Sequence, residues 1–123
     1  MRDLEKKITK YLEGLNKQQS LIWVESEGEY TNFILFHPSQ LEEEQYGYNK
    51  SESGESLIGD NSGDWKDGWI VIGYSEYLND PLFVDAKNSD LPIYTAAHGM
   101  GSWEPILLYS TWEQFKHNQK DNF

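Results

Sequence analysis

The chain contains no cysteine. Disulfides and thiolate metal sites are therefore excluded, as suits a reducing compartment. Apolar runs nowhere approach the roughly 18 residues of a membrane-spanning helix, and the charged, periodic start MRDLEKKITKYLEGL has no apolar leader segment behind it. A soluble cytoplasmic protein is expected, with no membrane partner. Basic residues are scarce, 10 Lys and Arg against 21 Asp and Glu, for a net charge of -11. Such a field repels a phosphate backbone, so nucleic acid is not expected as a direct partner.

Chemical signatures are missing as well. There is no GxGxxG and no P-loop. His37 precedes a proline, His98 sits in a glycine turn and His117 lies near the C-terminus, without a spacing that suits zinc. Ser102 and Ser110 lack the Gly-x-Ser-x-Gly elbow of a serine nucleophile. Asp60-Asn61-Ser62-Gly63-Asp64 begins like a calcium loop, but Trp65 stands where that loop needs Gly and Val71 where it needs Glu. Carboxylates are numerous enough that pairs at hydrolase spacing arise by chance. No catalytic residue, metal ligand or cofactor is assigned, and a non-enzymatic protein is expected.

What is present points to one aromatic-rich domain spanning residues 1–123. A chain of 123 residues has room for a single core, and 15% of it is aromatic, including five Trp and eight Tyr. The run Trp69-Ile70-Val71-Ile72, bracketed by Gly68 and Gly73, reads as a central strand buried on both faces. Ahead of it, Leu4, Ile8, Tyr11, Leu12 and Leu15 fall at helical spacing, predicting a helix over about 3–15. Leu21–Val24 and Phe33–Phe36 predict a hairpin. Ser39 with Glu42 and Ser110 with Glu113 have the spacing of capping boxes, each predicting a helix start. Between them, Leu82–Asp85, Ile93–Ala96 and Ile106–Tyr109 predict three more strands separated by short turns. Gly73 reads as a strand end that needs no side chain, and Asp85 as the holder of the turn that follows it. The expected class is α+β, a twisted antiparallel sheet with helices at both chain ends.

Charge is unevenly distributed. Residues 25–64 carry ten acidic groups and one basic, a net of -9, while residues 1–24 sum to +2 and residues 65–123 to -4. A solvated face explains this as simply as a binding surface does. Residues 46–67 show no sustained period and hold several glycines, so a long, partly ordered loop is expected, anchored by Trp65 and Trp69. Charge density and loop position nominate Glu42, Glu43, Asp60, Asp64 and Trp65 as partner-binding residues. A structural role for Trp65 is equally open.

The ordered series Trp69-Ile-Val-Ile-Gly73, Asp80-Pro81-Leu-Phe-Val-Asp85, Pro92-Ile-Tyr94, His98-Gly99, Trp103, Ser110 and Phe115 resembles the SUKH superfamily. That group includes bacterial toxin-immunity proteins and a yeast regulator of cell-wall synthesis. The resemblance covers about residues 65–117; the N-terminal half lacks the Leu-Pro helix and Asn-Gly turn common in that family. It implies a non-enzymatic binding protein that neutralises a cognate protein toxin. A basic toxin such as a nuclease would meet carboxylates where it otherwise holds phosphate. The alternative is a small-ligand or regulatory domain with a pocket lined by Trp65, Trp69 and Trp103.

Overall fold

The structure, a computed structural model, describes residues 3–13, 19–26, 29–76 and 78–117. Helix α1 (Asp3–Glu13) precedes strands β1 (Gln19–Ser26) and β2 (Glu29–Phe36), then a short helix α2 (Pro38–Leu41) and a 3-10 turn (Glu43–Gln45). Strands β3 (Trp69–Ser75), β4 (Pro81–Asp85), β5 (Ile93–Thr95) and β6 (Ile106–Tyr109) lead to helix α3 (Trp112–His117). All six strands lie in sheet order as in chain order, each antiparallel to the next. The sheet curls enough to bring β6 near β1. The expected α+β class, with helices at both ends, is what the chain adopts.

Alternation along the strands builds two cores. Leu35, Ile72, Leu82, Val84 and Ile93 face α1 and α3, where Ile8, Leu12, Trp112 and Phe115 close the layer. Val71, Phe83, Phe36 and Ala96 face the other way, onto Trp65 and the half-buried Tyr48, Trp69 and Trp103. The spacing of Ile8 and Leu12 on one stripe of α1 is what lets that helix cover the sheet. The second cover is the stretch between α2 and β3, which is ordered: Trp103 N donates to Gly63 O at 2.7 Å, and Leu57 N to Asn49 O at 2.9 Å. Among the described residues no helix is long and apolar enough to cross a membrane.

Gly73 lies within β3, two residues before its last residue Ser75, rather than closing the strand. A Cβ there would meet Ile34 O at 2.4 Å, so the β2–β3 approach requires glycine. The register also shifts between Val71 and Gly73, a bulge that turns Tyr74 onto the same core as Val71.

Both helix starts differ from the expected caps. His37, not Ser39, caps α2: its Nδ1 accepts from Ser39 N at 3.2 Å, and Gln40 Oε1 accepts from His37 N at 3.2 Å. Pro38 takes the first helical position, which its fixed φ suits, and that places the cap on the residue before it. At α3 the cap is Thr111, whose Oγ1 accepts from Gln114 N at 3.1 Å. Gln114 Oε1 in return accepts from the backbone N and the hydroxyl of Ser110. Asp85 does hold its turn, accepting from Lys87 N at 3.0 Å.

Candidate partner-binding surface

A glutamine side chain ties the layer over the Trp65 core to the edge of the sheet. Strand β2 pairs with β3 only as far as Leu35 and Gly73, and Pro38 then carries the chain away. Val71 is thereby left with backbone groups facing no strand. Gln45 supplies what is missing: its Oε1 accepts from Val71 N at 2.9 Å and its Nε2 donates to Val71 O at 2.8 Å. Nε2 also donates to Leu41 O at 2.8 Å. A primary amide carries one donor group and one acceptor, the complement of a strand edge, so this buried glutamine extends the sheet by one pairing.

Trp65 is the centre of the layer. It is 1% exposed and contacts Trp69, Trp103, Tyr48 and Phe83 with ring centroids 4.8 to 5.4 Å apart. Its Nε1 donates to Trp69 O at 3.3 Å. Burial removes Trp65 from any contact surface and makes it the structural core of the loop. Trp69 and Trp103 each pack edge-on against Trp65.

The other nominated residues divide. Glu42, Glu43 and Asp60 are exposed. Asp64 is half-buried, and its Oδ2 accepts from Asn61 N at 3.0 Å, which closes a turn. The structure thus brings all five into one covering layer, with three free at its surface and two engaged in building it. From Glu42 to Asp64 there are seven carboxylates and one lysine. That lysine, Lys50, lies over the Tyr46 ring, 4.6 Å from its centroid.

Ion pairs form elsewhere: Lys7 and Lys116 with Glu113, Lys87 with Asp67, and His98 with Asp80. Among the described residues none engages the seven carboxylates of this layer. Asp80 accepts from His98 N at 3.1 Å and faces His98 Nδ1 at 2.7 Å, while its own N donates to Ser75 Oγ at 3.0 Å. Ser75 Oγ thus accepts from the Asp80 backbone, and among the described residues no hydrogen bond joins it to His98.

Two clefts open beside the layer. One of about 410 Å³ lies between α1 and α2 over Ile70, with Glu42 and Asn49 in its wall. The other, of about 400 Å³, is lined by Phe36, Glu44, Tyr48, Tyr74 and Asn79. Burial, and after it the charges of Glu44 and Asp80, push the Tyr48 phenol above the usual tyrosine range. The aromatic residues of this second cleft carry no sequence signal of their own. Phe36 and Tyr74 belong to separate strands, and only the β3 bulge turns Tyr74 toward Phe36, with ring centroids 5.6 Å apart.

No known protein family, curated protein or solved structure matches the chain. The likeness to the SUKH superfamily rests on its residue series alone.

Proposed function

We propose that the protein is a non-enzymatic binding module of the immunity type, which neutralises a cognate basic protein toxin by covering it with the acidic layer over the Trp65 core. One observation carries the reading: seven carboxylates sit on a pinned layer with no ion pair among the described residues to compensate them. An uncompensated field of one sign attracts a surface of the opposite sign and raises the association rate. A rigid underside keeps the entropy cost of docking low, since the layer need not order on contact. A nuclease is the favoured class of toxin, because its active site is shaped to hold phosphate and accepts carboxylates in its place.

The test is stopped-flow association with the product of a toxin gene adjacent to this one, at low and high salt. Association should slow by about tenfold or more as salt rises, with the dissociation rate changing less. Glu42→Gln, Glu43→Gln and Asp60→Asn together should lower the association rate; Asp64 is left intact because its carboxylate closes a turn. Salt-independent association, or an unchanged rate in the triple variant, would remove the acidic layer from the mechanism.

A further inference from the structure

The cleft formed by Phe36, Glu44, Tyr48, Tyr74 and Asn79 has a composition that the rest of the acidic layer lacks. Three aromatic rings line it, and one carboxylate, Glu44, stands among them. Glu44 is half-buried, so it has lost part of its hydration, and among the described residues it has no hydrogen bond or ion pair. The neighbouring acid differs: Asp80 is already engaged by His98. The rings are held in place, Tyr48 by Trp65 and Trp103 at centroid distances of 5.2 and 5.5 Å, and Phe36 and Tyr74 by each other at 5.6 Å.

We infer that this cleft receives an arginine side chain of the partner protein, its guanidinium lying against the aromatic faces and donating to the Glu44 carboxylate. Aromatic faces attract cations, and a partly desolvated carboxylate beside them strengthens the attraction. Guanidinium suits the cleft better than ammonium: it is planar, weakly hydrated, and donates two parallel hydrogen bonds to one carboxylate while stacking on a ring. The Tyr48 phenol, raised further above the usual tyrosine range by burial and then by Glu44 and Asp80, adds a neutral hydroxyl to the lining. Within the proposed neutralising complex, which this inference takes as its basis, such an arginine would be the anchor and the surrounding carboxylates the steering field.

The assay needs no toxin. Blocked arginine (N-acetyl-arginine methylamide) is titrated at low salt into the full chain, followed by aromatic carbon–proton NMR. Its lysine counterpart and the neutral isostere from citrulline serve as controls. Arginine should give saturable shifts confined to the rings of Phe36, Tyr48 and Tyr74, and citrulline none. Glu44→Gln should weaken the arginine response by about tenfold or more, as for loss of a charged hydrogen-bond partner. Glu52→Gln and Glu55→Gln, on the exposed part of the same layer, should leave it unchanged, and matching amide spectra show that each variant folds. Equal responses to arginine and citrulline, an unchanged response in Glu44→Gln, or shifts spread over aromatic rings outside the cleft would overturn the assignment. A lysine response equal to that of arginine would overturn the guanidinium preference. Failure here leaves the proposed neutralisation standing, because steering by the acidic layer requires no anchor in this cleft; loss of salt-dependent toxin binding with a positive titration would separate the two in the other direction.

Discussion

Replacing Gln45 should cost far more than the position of this residue in a short polar turn suggests. Its side chain is 7% exposed and makes three hydrogen bonds, two of them to the N and O of Val71, itself 0% exposed. In Gln45→Ala both Val71 groups lose their partner inside the protein, at about 1–3 kcal/mol each, or about 2–6 kcal/mol together. Leu41 O adds little, since that bond is only partly buried and water can replace it. Such a loss is a large part of the stability of an ordinary domain, about 5–15 kcal/mol. Gln45→Glu makes the argument sharper. A carboxylate can still accept from Val71 N, but its second oxygen then faces the carbonyls of Val71 and Leu41 without a proton between them. The acid is favoured in the folded state, so its folded pKa rises above the unfolded value of about 4.3. The variant should therefore hold its full stability only below about pH 4.3 and lose it as pH rises through the raised folded value. Urea denaturation of parent and variant between pH 7 and pH 4 measures the gap, and subtraction cancels the acid response common to both. The gap should be wide at neutral pH and narrow on acidification. A gap that stays flat, or a Gln45→Ala variant within about 0.5 kcal/mol of the parent, would refute the strand-edge role.

Gly73→Ala places a Cβ 2.4 Å from Ile34 O and must push β2 from β3; thermal denaturation should show a loss of about 3 kcal/mol or more. Thr111→Ala should lower stability by about 1 kcal/mol through the lost cap on α3. Ser110→Ala should cost less, because the exposed hydroxyl that donates to Gln114 is readily replaced by water; equal losses in urea melts would move the cap back to Ser110. The phenols of Tyr11, Tyr48 and Tyr94 are raised by burial, with Glu44 and Asp80 adding to Tyr48 and Asp85 to Tyr94. A raised folded value favours the neutral phenol, so their contribution is whole below about pH 10 and is lost as pH rises through the raised values. Alkaline melts followed by tyrosinate absorbance should show this loss, and Tyr48→Phe should reduce it.

Much of the architecture could be read from local pattern. The four-residue apolar runs at 69–72 and 33–36 each became part of a strand, because short unbroken runs of aromatic and β-branched residues specify a pleated segment without reference to the rest of the chain. The stripe of Ile8, Tyr11 and Leu12 specified α1 for the same reason. Charge partition is also a property of sequence alone, and the carboxylates of residues 25–64 were visible as a group. Tertiary structure decided what those segments do to one another. Trp65 looked equally suited to a partner and to a core; its 1% exposure follows from a loop folding back over β3, β4 and Trp103, contacts that span up to 38 residues of chain. Asp64 and Asp60 are alike in sequence, yet only Asp64 is drawn in to close the turn at Asn61. The caps moved because a cap depends on which residue the backbone turns at, and Pro38 settled that for α2. Gln45 carried no signal at all: its amide acquires a role only where β2 leaves β3 and exposes Val71, a gap that no local pattern encodes.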